Sequence, residues 1–435
     1  MMIKVLLISV ITSVCFINSL MANEGADAPS VMEGTPPIRD SQATMKNYRD
    51  YPFSGWTFQN MGAPLNVVMV PRGGSINELN VPIKQELGRR IFKDKSGDEM
   101  AFEDLFRAHY ARGVILIQGN NVLYEKYYDG FGPHKQHIWF SMSKSLASAA
   151  LGILIDEGKL DINKSPASYI PELKGSGFER VTIQNLLDMA SSIDFKETYT
   201  DMNSDFALKY AVAMNMGWLP GARDAQPENT EIYGVHDFLS KYIKPNKNLD
   251  PGTDFDYNST NADVIGWLIA RISGQPYEQF ISERIWSKLG MEHDAYFTVD
   301  RAFMPVVTGG MNSTLRDAAR FALMIRDEGK VKNSQIIPSG WIKSAVDVSE
   351  KLKLNMNSNP NYGDEPWEAY HNMWWILDSA KEEFCATGIH GQVIYINKAK
   401  NTVMVWYSNQ PVAAAPRNIN YQSKLMAARA LVDSL

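Results

Sequence analysis

Apolar runs and apolar periods divide the chain into strand-like segments near its two ends and a helical middle. Residues 114–117 are a solid apolar run, Gly119-Asn120-Asn121 supplies turn residues, and 122–128 mixes aliphatic, aromatic and polar positions. That combination predicts a β-hairpin. A helix is predicted over 141–157, where Leu146, Ala150, Leu151, Ile153, Leu154 and Ile155 cover most of its circumference and Gly158 stands in the C-cap position. A helix that is apolar nearly all round is a buried one. Between 160 and 300 several helices are expected, including 182–190 and 261–272, followed by another over 315–329. Residues 373–377, 393–396 and 402–407 read as strands before a last helix to Leu435.

This order predicts an α+β fold: an antiparallel β-sheet flanked by helices, with a mostly helical insertion domain. The sheet domain takes residues 96–160 and 300–435, and the helical domain takes 161–299. Residues 23–95 are rich in Pro, Gly, Asn and Met with no period, which predicts an extended N-terminal arm wrapping the surface.

Residues 1–22 have one charge, Lys4, an apolar stretch over 5–16, and small Ala22 before Asn23-Glu24-Gly25. This is the pattern of a secretory signal peptide and predicts a secreted, periplasmic protein. The apolar stretch is short for a bilayer crossing of about 20 residues. Thr12-Ser13-Val14 does not give Cys15 the leucine and small-residue context of a lipid-attachment site. No later segment is long and apolar enough to cross a membrane, so no stable span is expected after removal of the leader.

A chain of 435 residues that is 45% hydrophobic has material for a large core and two or three structural units. With 43 Lys and Arg against 49 Asp and Glu, and no basic stretch, a nucleic-acid partner is not expected. Cys15 and Cys385 form no disulfide framework and no zinc-type cluster, so neither a metal nor another cofactor is expected. Cys385 reads as a small packed hydrophobe. Nothing in the sequence speaks to oligomeric state.

The chemistry is concentrated at Ser141-Met142-Ser143-Lys144. Ser141 and Lys144 are three residues apart, on one face of a helix. The helix N-terminus favours an alkoxide, and burial disfavours the ammonium, so the pair reads as a serine nucleophile with a lysine base. The plain alternative is a serine cap followed by a solvent-facing lysine. Against it, this is the only Ser-x-x-Lys in the chain, and the lysine sits in a segment too apolar for a solvent face.

Those residues, with 154–162, Tyr169-Ile170-Pro171-Glu172-Leu173, 183–192, Pro251-Gly252-Thr253, Gly290-Met291 and 309–314, resemble the serine β-lactamase and penicillin-binding-protein superfamily in its class C-like branch. The resemblance spans roughly 105–430 and leaves the arm outside. It implies that Tyr257, in Tyr257-Asn258-Ser259, stands near Lys144 and passes the proton to the leaving group. Ser259 replaces the usual asparagine. The family's third motif, Lys-Thr-Gly, is matched by Ala386-Thr387-Gly388, with Ile389-His390-Gly391 as an alternative register. In the first register the N–H groups of Ser141 and Ile389 would form the oxyanion hole, and Gly388 would let substrate approach the backbone.

Ala386 cannot hold a substrate carboxylate, so the cleft is expected to carry no fixed positive charge and to hydrolyse penicillins poorly. His390 is a candidate for part of that role, beside a purely structural reading. The motif set is closest to the 6-aminohexanoate-dimer hydrolase and carboxylesterase subgroup, which implies that Tyr199 hydrogen-bonds the substrate amide nitrogen. The function expected is a secreted, cofactor-free serine hydrolase acting on a small-molecule ester or linear amide. The alternatives are a β-lactamase or D,D-peptidase, and a non-catalytic binding protein that kept the scaffold.

Overall fold

The computed structural model describes residues 31–199, 201, 203–216, 232–360, 362, 366–413 and 418–435. The expected leader over 1–22, with Cys15, lies outside the described residues.

Seven antiparallel strands form the main sheet: β1 (Ala111–Gln118), β2 (Asn121–Tyr127), β3 (Ala369–His371), β4 (Trp374–Asp378), β5 (Glu383–Gly388), β6 (Gln392–Asn397) and β7 (Thr402–Ser408). Their spatial order is β3-β4-β5-β6-β7-β1-β2. The predicted hairpin is therefore β1-β2, turning at Gly119, whose φ is +57°. It joins the sheet beside the last strand, with Val405 opposite Ile115 and Trp406 opposite Val114. Ile115, Leu116, Ile394, Tyr395, Val405 and Trp406 are all fully buried. Both faces of the central strands are covered, which is why they read as solid apolar runs and not as alternation.

Five helices frame the sheet and the site: α1 (Phe102–Ala108), α2 (Ser143–Asp156), α3 (Thr260–Ser273), α4 (Leu315–Arg326) and α5 (Ile419–Asp433). α1 and α5 pack together, while α4 packs on β7, β6 and β1. Phe106 of α1 meets Trp406, whereas Tyr407 meets Ser313 beside the start of α4. Adjacent residues of a strand point to opposite faces, so the two helical layers enclose the sheet. α2 packs against α3, the main helix of the 161–299 region.

A second, four-stranded antiparallel sheet runs in the order Val67–Val70, Ala295–Thr298, Met311–Ser313, His137–Ile138. The arm is thus more than a surface wrap. It contributes a strand to this sheet and buries Tyr48, Phe58, Met61, Leu65, Val70 and Leu87 in the core. These side chains enter the core at irregular spacing, and an element without a period gives pattern reading nothing to detect. The strands of this sheet and β3 are two to four residues long, too short for a two-residue alternation to register.

The helix predicted over 182–190 is shorter, Ile183–Leu187, starting from a capping box in which Thr182 and Asn185 bond reciprocally. Gly158 has φ +68°, as the end of α2 requires. Among the described residues no helix is long and apolar enough to cross a membrane.

Candidate active site

The second sheet delivers the nucleophile. His137–Ile138 leads into a 3₁₀ turn, Phe140–Met142, which places Ser141 just ahead of α2 instead of on its first turn. The Ile138 N–H donates to the Phe58 carbonyl at 2.9 Å, so the arm is bonded to the segment entering that turn. Phe140 has φ +47°, a left-handed conformation that costs a bulky residue on the order of 1–3 kcal/mol. Its ring is held by Phe58 at 5.0 Å and His390 at 5.6 Å between centroids, contacts that oppose relaxation. Ser141 itself is half-buried and lines a cavity.

Lys144 is 1% exposed. Its Nζ donates to Ser141 Oγ at 2.7 Å and to the Thr308 carbonyl at 3.1 Å. Burial pulls its pKa from 10.5 down to about 8, against the opposing pull of the Glu197 and Asp263 carboxylates. A lysine in that position can be neutral near neutral pH and accept the serine proton.

Tyr257 closes the group. Its ring centroid is 5.1 Å from Lys144 Nζ, and Ser141 is among the groups that bear on its hydroxyl. Burial, then the neighbouring Tyr370 and Glu197, keep this phenol protonated well above its ordinary range. Trp375 stacks on the ring at 5.4 Å and Tyr370 meets it edge-on at 5.8 Å, which fixes its plane. The adjacent Asn258 anchors the loop through its amide on the Phe195 carbonyl at 2.8 Å.

The third motif lies at the end of β5. A Cβ on Gly388 would stand 2.3 Å from the Trp139 carbonyl oxygen, so only glycine lets the strand end pass this close to the nucleophile turn. That contact favours the Ala386-Thr387-Gly388 register. Ile389, the next residue, lines the cavity with Ser141.

Ser259 and Tyr199 converge on a residue to which the sequence reading gave no role. The Glu197 carboxylate accepts from the Ser259 N–H at 2.5 Å, from Ser259 Oγ at 2.8 Å and from the Tyr199 hydroxyl. Tyr199 borders the cavity, but its hydroxyl is directed to this carboxylate. Burial raises the Glu197 pKa, and Lys144 opposes the shift. Asp263 was also missed. It accepts from the Thr308 N–H at 3.0 Å and from the Tyr210 hydroxyl, and burial lifts its pKa to about 7. The only hint of either acid was a carboxylate near Tyr199 and another one helical turn into α3.

The expectation of a cleft without fixed positive charge is overturned. Arg49, from the arm, lines the same cavity as Ser141 and donates through Nε and Nη2 to His390 Nε2 at 3.3 and 3.2 Å. His390 Nδ1 is 2.8 Å from the Gln410 carbonyl and must carry the proton, leaving Nε2 as acceptor. Burial, then Arg49, push the His390 pKa down to about 3. His390 is therefore a neutral support for a cation and not a cation itself. Arg49 could not be placed from sequence because 341 positions separate it from His390.

Among the described lining residues the apolar wall includes Phe140, Phe206, Met214, Met216 and Val306. The cavity is narrow, about 50 Å³. A roomier groove of about 490 Å³ lined by Asn77, Arg320, Asp327 and Lys330 shares no lining residue with it and holds no nucleophile and base pair. Among the described residues no group of three or more His, Cys, Asp or Glu side chains could hold a metal ion.

The family model described as Beta-lactamase matches residues 102–428. The chain belongs to the β-lactamase family. It is 29% identical over 378 residues to the 6-aminohexanoate-dimer hydrolase of Paenarthrobacter ureafaciens, covering 86% of this chain and 90% of that one. The solved structure described as "Putative 6-aminohexanoate-dimer hydrolase from Bacillus anthracis" superposes with a TM-score of 0.80 at 25% identity, covering 92% of this chain and 98% of that one. A D-stereospecific amidohydrolase from Streptomyces shares the fold, with a TM-score of 0.54 at 16% identity over 75% of this chain and 95% of its own. Family and relatives make this β-lactamase-family chain a hydrolase of the serine β-lactamase fold.

Proposed function

We propose that this protein is a serine hydrolase that cleaves short-chain esters or linear amides through an acyl-enzyme on Ser141. The observation that carries the reading is the 2.7 Å contact between Ser141 Oγ and a Lys144 amine whose pKa burial has drawn down to about 8. Neutral Lys144 takes the serine proton as Oγ bonds to the substrate carbonyl carbon, and the carbonyl oxygen becomes an oxyanion facing the Ser141 and Ile389 N–H groups. Tyr257 relays the proton from Lys144 to the leaving oxygen or nitrogen as its bond to carbon breaks. A water then repeats the sequence on the acyl-enzyme, releasing the acid and restoring the serine hydroxyl.

Kinship with 6-aminohexanoate-dimer hydrolases supports a linear amide as one substrate class, and esters are expected to turn over faster because they have the better leaving group. Penicillins are expected to be poor substrates, since the cavity beside Ser141 is narrow. Secretion after removal of residues 1–22 is part of the proposal, and N-terminal sequencing of the native protein checks it.

The direct test is hydrolysis of p-nitrophenyl butyrate by wild type, Ser141→Ala and Lys144→Ala, with intact-mass detection of a fluorophosphonate adduct. One adduct on wild type and none on Ser141→Ala, with turnover lost in both variants, is the expected result. Equal rates in all three proteins would defeat it. An intact fold with neither adduct nor turnover would favour the non-catalytic reading.

A further inference from the structure

Arg49 and His390 form a charged contact beside the nucleophile that the acyl-transfer chemistry leaves unused. The guanidinium is always cationic, and Arg49 is half-buried and shares the cavity lining with the apolar Phe140 and Met216. Burial works against its charge, with Tyr48 and Asp50 opposing that effect. His390 adds no charge of its own, yet fixes the guanidinium by accepting from two of its nitrogens. The imidazole is in turn fixed by Gln410 and by a left-handed backbone, with φ +60°. A cation oriented in this way, on the wall of a narrow cavity that reaches Ser141, is suited to a carboxylate, and weak solvation in the cavity strengthens such a pair.

We infer that Arg49 is the anion-reading group of this hydrolase, that His390 is its positioning residue, and that favoured substrates are esters or amides bearing a carboxylate. This rests on the proposed serine hydrolase activity. It also gives the N-terminal arm a part in specificity: the arm supplies the positive charge that Ala386 lacks.

The test compares matched acidic and neutral esters on the full-length protein. One pair puts the acid on the acyl side: mono-p-nitrophenyl adipate against its methyl ester. The other puts it on the leaving group: hexanoyl 4-hydroxybenzoate against the corresponding methyl benzoate. The readout is the acidic-to-neutral ratio of kcat/KM, which does not depend on how much of a variant is folded. In Arg49→Met that ratio is expected to fall about 10- to 100-fold for one pair, and that pair identifies the side on which the carboxylate binds. Arg49→Lys should recover part of the loss, and His390→Asn should lower the ratio less than Arg49→Met does.

Unchanged ratios in both pairs would overturn the inference even if Ser141 proves catalytic. Should the wild type hydrolyse none of these esters, the proposed activity fails and calorimetric binding of adipate decides the inference alone. At least tenfold weaker binding in Arg49→Met supports it, while equal affinity, or no binding to wild type, refutes it.

Discussion

Two lysines are buried in similar company in this protein, and one of them sits at the candidate active site. Lys144 donates to Ser141 Oγ at 2.7 Å and to a backbone carbonyl at 3.1 Å. Lys424, on α5, donates to Ser408 Oγ at 2.7 Å and to the His109 carbonyl at 2.6 Å. Burial lowers the pKa of both. The difference lies around them. Ser141 is half-buried on a cavity, whereas Ser408 is fully buried between β7 and α5. Lys144 has Tyr257 over it and two carboxylates, Glu197 and Asp263, opposing its loss of charge. For Lys424 desolvation is the one cause of the shift. A desolvated amine touching a serine is therefore not enough for catalysis. Substrate must reach the oxygen, and a further group must carry the proton onward.

The contrast can be broken at several points. Its strongest form is at the serines: Ser141→Ala should lower kcat/KM for p-nitrophenyl butyrate about 10⁴-fold or more, whereas Ser408→Ala should change it less than about threefold. Comparable losses in the two variants would mean that burial and hydrogen bonding do not distinguish the sites. Tyr257→Phe is expected to cost about 10²-fold, since it removes the relay and leaves the serine and lysine in place. Single-turnover rates with an ester and the matching amide should show the greater loss on the amide.

The pH profile sharpens the comparison without altering the fold. The base is the neutral form of Lys144, so activity should decline as pH falls below its pKa of about 8 and level off above it. The Glu197 carboxylate raises that pKa. Glu197→Gln should therefore move the acidic limb to lower pH, and a limb that stays in place would remove Glu197 from the electrostatics of the site. The smallest effect on turnover belongs to Lys424→Met. It strands the Ser408 hydroxyl and the His109 carbonyl at a cost of about 1–3 kcal/mol, read as a lower Tm with kcat within twofold of wild type.

The legible parts of this protein were those in which neighbours in sequence are neighbours in space. Ser141 and Lys144 are one turn apart, and the apolar surroundings of Lys144 already implied the desolvation that burial imposes. The hairpin, α2, α3, α4 and the last strands announced themselves through runs or periods. The third-motif register could not be decided from the residues alone, because it depends on how closely Gly388 passes the Trp139 carbonyl. Glu197 and Asp263 gave no more than a hint, since one acid among many becomes distinctive only when folding aims it at a buried lysine.

Local order and composition therefore determined the class of fold and the identity of the nucleophile and its base, because helical spacing and hydrophobic patterning act over a few residues. Tertiary structure decided which buried lysine faces a cavity, which carboxylates stand beside it, and that an arginine from the arm enters a cleft whose own strand carries alanine in place of lysine. Those facts depend on long-range packing. An arginine and a histidine separated by most of the chain share a hydrogen bond only after the arm has buried its aromatic side chains against the second sheet.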